Sequence, residues 1–174
     1  MPDPSQQLRS DREIEARVIS FLDGTGVPYI VVEIDPEFAD TAQFCEKYGF
    51  PLENSANTII VASKRGPKKY VACLVQANAR LDVNKVVTRL MEVKRASFAS
   101  ADETKEITGM LIGGVTPFGL PDDMPIYIDE NVKELEFIIL GSGDRSSKLK
   151  LAGSELSKIP NVEFISGLSA VKQS

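Results

Sequence analysis

The segment Leu111–Gly119, LIGGVTPFG, combines two opposite kinds of backbone constraint. Gly113 and Gly114 carry no Cβ, so other atoms can approach their N–H groups closely. Pro117 fixes φ and pushes Thr116 towards an extended shape. A loop of this kind is either a plain connection or a binding surface made of main chain. Composition narrows the chemistry that such a surface could serve. None of the 174 residues is a histidine, which excludes Ser-His-Asp and Cys-His machinery, histidine metal sites and a histidine general base. An enzyme with this sequence works with amides, hydroxyls, carboxylates, lysine or arginine, or the backbone itself. Cys45 and Cys73 give no disulfide framework and no paired-cysteine zinc pattern. Cys73 alternates with Val71 and Val75, the pattern of a buried structural thiol. Asp122, Asp123 and Asp129 follow a turn into a strand and read as solvated carboxylates rather than a metal site.

The elements that must position such a loop follow from periodicity and capping. Residues 1–10 read as a polar arm and residues 11–174 as one domain. Ser10 and Glu13 have capping-box spacing, and Ile14, Val18, Phe21 and Leu22 recur at helical intervals up to Gly24 and Gly26. Tyr29–Ile34 reads as a strand. Asp40 or Thr41 starts a short helix that stops at Gly49. Thr58–Ser63 and Lys69–Ala77 read as a hairpin whose basic tip, Lys64 to Lys69, is a solvated turn first and a nucleic-acid contact second. Asp82 caps the next helix, and Ser100 with Glu103 caps another that ends at Gly109. A strand at Pro125–Asp129, a hairpin around Ser142–Ser147, a short helix near Glu155 and a strand at Val162–Ser166 complete the chain. The order implies a mixed sheet packed by helices rather than a doubly wound parallel one. A net charge of −5 argues against a broad electrostatic grip on nucleic acid and leaves a local basic patch open. No apolar run is long enough to span a bilayer, and no secretory leader is visible, so the expected location is cytoplasmic.

The string GGVTPFG, followed by MPIYID and the glycine-marked hairpin LGSGDRSSKLKL, resembles the YbaK/prolyl-tRNA-synthetase editing-domain family. The upstream order fits too, with the DTAQFCEKYG helix, the strand pair and the LDVNKV helix, so the resemblance covers nearly all of residues 11–168. It implies a single mixed α/β domain with a partly barrel-like sheet flanked by helices. It also implies hydrolysis of the ester of wrongly charged tRNA, typically tRNA for proline carrying a small amino acid. No cofactor and no metal are implied. The partners are the tRNA acceptor end and an aminoacyl-tRNA synthetase, with no membrane and no DNA. Such an ester is already activated, so a positioned water and donors for the oxyanion suffice, and the family uses a ribose hydroxyl of the tRNA to help activate the water.

The site implied in this way draws its reacting groups from Asn57, Gly113, Gly114, Pro117, Phe118 and Gly119. Thr41, Val71, Cys73, Gly141, Gly143 and Arg145 would contact the substrate, with the strands around Asn57 and Val71–Val75 roofing the pocket. Asn57 stands where the family places a lysine, and an asparagine keeps a donor but brings no charge. A weakly active or inactive module that binds a tRNA end or a synthetase is therefore the alternative, with hydrolysis of another small ester a third possibility. With no histidine, the rate is expected to show no protein inflection between pH 5 and 8.

Overall fold

The computed structural model describes the backbone of residues 4–172 and the side chains of residues 12–172. Helix α1 runs Pro4–Thr25, and a proline is tolerated in a first turn because its missing N–H would have no partner there. The backbone is thus already helical six residues before Ser10, which corrects the start expected at a Ser10 cap; the Ser10 side chain itself, and Met1 to Asp3 of the expected arm, lie outside the described residues. Val18 and Leu22 of α1 are wholly buried, and Gly26 ends the helix with φ at +77°.

Strand β1 (Ile30–Glu33) is followed by a 3-10 turn at Pro36–Phe38 and by α2 (Thr41–Tyr48), which stops at Gly49 in the left-handed region. The expected hairpin is β2 (Ala56–Ser63) and β3 (Tyr70–Gln76), antiparallel with Asn57 opposite Val75. A short β4 (Ala79–Leu81) precedes Asp82, whose carboxylate accepts the Lys85 amide. The chain then forms a π-turn at Val83–Val87, α3 (Thr88–Met91), β5 (Ala96–Phe98) and α4 (Ala101–Thr108). Helix α4 has the complete Ser100/Glu103 capping box. Past the glycine loop come β6 (Ile126–Asp129), α5 (Glu130–Lys133), β7 (Ile138–Gly141), β8 (Ser147–Leu151), a 3-10 segment at Gly153–Lys158, β9 (Val162–Ile165) and β10 (Ser169–Val171). Asp129, read from sequence as solvated, is buried at the start of α5 and accepts from the Asn131 amide and from Ser169.

The strands form three sheets: β5-β2-β3-β6-β9, β1-β8-β7 and β4-β10. In the largest, β2 is antiparallel to β5 and β3, whereas β3, β6 and β9 run parallel. Among the described residues no sheet closes on itself, so the partly barrel-like sheet expected from the resemblance is corrected to a mixed α/β fold with several open sheets. The reason lies at one junction. The three-stranded and five-stranded sheets meet through a single parallel bridge, Ser55 with Ile139, and one bridge does not carry a ladder around.

The alternation of β3 divides the interior. Ala72 and Leu74 join α1, β7 and β8 in one core, whereas Val71, Cys73 and Val75 join Val87, Met91 and Leu168 in a second core on the other face. The Cys73 thiol is fully buried, and burial pushes its pKa up to about 12, the state of an inert structural cysteine. No helix among the described residues is long and apolar enough to cross a membrane. Replacing Ser100 by alanine removes one half of the α4 capping box and is expected to cost about 1 kcal/mol; a urea titration should show a lower midpoint with an unchanged slope.

Candidate active site

The central stretch of β2 has a strand partner on only one side. Its outer edge pairs with β5 at Val61–Ser63 and with Ile139 at Ser55. The gap between those contacts is a pocket of about 250 Å³, lined among others by Asn57, Thr58, Phe98, Gly113, Gly141 and Lys148. Ile60 turns its carbonyl outward to accept the Ala99 amide at 2.8 Å. Residues two apart on a strand point their polar groups to the same side, so the N–H and C=O of Thr58 also face the gap. The Thr58 hydroxyl is buried with no partner among the described residues.

Two glycine-bearing loops close the far wall. The Leu111 amide donates to the Gly143 carbonyl at 3.0 Å, and the Gly143 amide donates to the Gly114 carbonyl at 2.6 Å. A Cβ on Gly114 would overlap the Asp144 carbonyl, and one on Gly141 would overlap the Gly114 carbonyl. The glycines at 114 and 141 are therefore required by close backbone approach. Gly113 has φ at +93°, a conformation that glycine adopts without steric cost. Arg145 braces this turn from outside, donating to the Ile112 carbonyl at 2.8 Å and pairing with Asp40 at 3.3 Å.

The residues expected from sequence fall into two groups. Asn57, Gly113 and Gly141 line the pocket together, and the Thr41 hydroxyl donates to the Asn57 side-chain oxygen at 2.5 Å. Gly114 holds the wall from behind, its amide committed to the Leu111 carbonyl at 2.8 Å. The others lie elsewhere. Phe118 is wholly buried in the first core, Pro117 lines a separate cleft with Phe21 and Pro160, and Gly119 sits against Phe21. Gly143 packs on Ile14 and Val18 of α1. Val71 and Cys73 point into the second core, so the expected roof at Val71–Val75 is replaced by Phe98 and Ala99 on one side and Ile112, Gly113 and Val115 on the other.

Lys148 is the residue that sequence reasoning missed. It sits in β8 opposite Gly141 and is only 5% exposed. Its ammonium donates to the Gly113 carbonyl at 2.9 Å and lies 5.6 Å from the Phe44 ring. Burial pushes its pKa down to about 8, with nearby Arg145 adding to the effect and Asp40 opposing it. The sequence carried one signal: SKLKL alternates, and its lysines share a face that would be polar only if that face were solvated.

A small α/β domain that turns main-chain groups and one buried ammonium towards a pocket beside an open strand edge is the class that fold and site define. The profile of the aminoacyl-tRNA editing domain matches residues 35–159, and the chain belongs to that family. It is 33% identical over 129 residues to the uncharacterized protein YwhH of Bacillus subtilis, covering 74% of this chain and 79% of the relative. The prolyl-tRNA editing protein ProX of Acetoanaerobium sticklandii is 23% identical over 154 residues, or 86% of this chain and 92% of that protein. A solved structure of a proposed trans-editing enzyme for prolyl tRNA synthetase superposes with a TM-score of 0.76 at 23% identity, covering 92% and 98% of the two chains, which shows a shared fold.

Two substitutions probe this wall. Gly114→Ala forces the two loops apart and should lower the melting temperature by several degrees, the effect of an overpacked site costing roughly 1–3 kcal/mol. Lys148→Met should do the reverse. A lysine whose folded pKa lies below its unfolded value destabilises the fold fully below the folded pKa and not at all above the unfolded one. The drop from 10.5 to about 8 corresponds to roughly 3 kcal/mol, less about 1 for the lost bond to the Gly113 carbonyl. Urea titrations should find the variant more stable at pH 7, with the gain shrinking from pH 8 to 10.5.

Proposed function

We propose that the protein is a trans-acting aminoacyl-tRNA deacylase, acting on tRNA for proline that carries a small amino acid. The observation that carries this reading is the pocket beside the unpaired edge of β2, where Asn57, Thr58, Gly113 and Lys148 converge in a chain of the editing family. A volume of about 250 Å³ lies just under the range of roughly 300–1,000 Å³ usual for small-molecule sites, which suits a small aminoacyl group. The ester carbonyl enters between β2 and the glycine turn. Water adds to it, and the Gly113 and Val115 residues that line the pocket offer their amides as donors to the oxygen that becomes negative. The Gly114 amide takes no part, since the Leu111 carbonyl already holds it. The neutral Asn57, steadied by Thr41, orients the substrate, and the terminal ribose hydroxyl of the tRNA helps activate the water. A second pocket shares Asn57, Ile59 and Phe98 with the first and adds Arg80 and Lys172. Phe98 is 57% exposed, and an exposed ring beside cations is a stacking platform for a terminal base.

Asn57 also supports a second reading, a module that holds an aminoacyl-tRNA end or a synthetase without turnover. An amide whose oxygen is occupied by Thr41 offers the substrate donors and no charge.

A panel of mischarged tRNAs separates the two. The deacylase reading expects release of labelled amino acid above spontaneous hydrolysis, fastest for the smallest aminoacyl groups and slower by a factor of ten or more for each step up in size. Phe98→Ala should raise KM about tenfold or more and leave kcat nearly unchanged, the loss of one stacking contact of roughly 1–3 kcal/mol. Binding of charged tRNA with no release from any member of the panel would establish the module instead, and Asn57→Lys would then be expected to create turnover.

A further inference from the structure

Lys148 is the one lysine or arginine that is buried among the described residues. A buried ammonium is costly unless an anion faces it. The ion pairs among the described residues join Lys68 with Glu103, Arg145 with Asp40 and Lys158 with Glu155, and leave Lys148 out. Asp40, the carboxylate that acts on it most, is held 3.3 Å from Arg145. Of the three donors on the Lys148 ammonium, the Gly113 carbonyl takes one. The same side chain lines the pocket with Asn57, Thr58 and Gly113. The pocket therefore contains a cation whose negative partner is supplied neither by an ion pair nor by an acidic wall.

Resting on the deacylase reading above, we infer that Lys148 donates to the carbonyl oxygen of the bound ester and holds the negative charge that forms on it when water adds. The ammonium is 5% exposed and bonded to the inner wall, so it meets a group that enters the pocket. A nucleotide phosphate, bulky and hydrated, stays outside it, and the neighbouring pocket offers such a group Arg80 and Lys172, which stand in better contact with solvent. The Gly113 residue contributes at both ends: its carbonyl aims the Lys148 side chain, and its amide adds a neutral donor to the same oxygen. Lys148 then supplies in charge what Asn57 supplies only in orientation. The flat pH profile expected from the absence of histidine ends where Lys148 loses its proton. The charged or titratable groups acting on that proton are Arg145 in the β7–β8 turn and Asp40 and Cys45 at and within α2.

The test uses the full chain and a stable anion in place of the tetrahedral intermediate: the 3′-ethylphosphonate monoester of adenosine, which is singly negative throughout and lacks the titratable α-amino group of an aminoacyl ester. Calorimetry on wild type, Lys148→Met and Lys148→Arg at pH 7.0 and 9.5 reads the contact directly. At pH 7.0 the Met variant should bind at least 30-fold more weakly than wild type, and the Arg variant should fall between them. Wild type should lose most of that advantage by pH 9.5, whereas both variants should be nearly insensitive to pH. Equal binding by wild type and the Met variant, or binding by neither, overturns the inference. Single-turnover deacylation of the mischarged panel keeps the two readings apart. A wild type that releases amino acid no faster than Lys148→Met leaves the deacylase standing and removes the lysine from it. Lys148-dependent binding of the phosphonate by a protein that deacylates nothing leaves an anion contact standing, and removes both the hydrolase and the oxyanion role that rests on it.

Discussion

The candidate site depends on one contact between two stretches of backbone. Gly114 lies against the Asp144 carbonyl and Gly141 against the Gly114 carbonyl so closely that neither has room for a Cβ, and the Gly143 amide closes on the Gly114 carbonyl at 2.6 Å. This apposition ties the glycine loop to the end of β7 and to the turn before β8. Everything around the inner wall follows from it. It presents the Gly113 carbonyl to Lys148 and the Ile112 carbonyl to Arg145, and it sets the distance across the gap to β2. Side chains could not make so tight a joint, because each would add atoms where the two chains need to touch.

The gap itself is a consequence of unequal strand lengths. Strand β2 spans eight residues, but β5 covers only its last three on the outer side, and β7 leans on it through one bridge. An unpaired strand edge is ordinarily a liability, because its amides and carbonyls invite another chain. Here the edge is recessed between Phe98, Ala99 and the glycine loop. That geometry admits a small group with donors and acceptors of its own and keeps out a full strand. The same two loops that hide the edge from aggregation thus shape the pocket.

Electrostatics concentrate the cost of the site in one residue. Burial drives the Lys148 ammonium well below its ordinary pKa, and the guanidinium of Arg145 drives it in the same direction. Such strain is tolerated at functional sites and compensated elsewhere. Two interior clusters on the faces of the large sheet provide that compensation, one built on α1, β7 and β8 and the other under the π-turn and α3. The acidic surface of the chain, with its net charge of −5, leaves local cations to do any work on a nucleic acid.

The sequence by itself determined most of the element order, because capping and periodicity are local. The Ser100/Glu103 box, the Gly49 and Gly109 stops, the β2–β3 and β7–β8 hairpins and the buried Cys73 thiol were all readable from a few neighbouring residues. The start of α1 was misread because a plausible cap at Ser10 concealed an earlier start at Pro4. The glycine loop was legible as a special backbone, but not which of its residues face the pocket. Gly113 lines the pocket while Phe118 is in the core and Pro117 in another cleft, since loop direction depends on what the loop packs against. The openness of the sheets and the place of Lys148 were decided only in three dimensions. A lysine in an alternating strand is polar by type, and nothing local says that β1, β7 and α2 will close around it. Its neighbours Gly113, Asn57 and Phe44 are distant in sequence, and they meet only because sheet pairing and backbone approach bring three separate segments to one point.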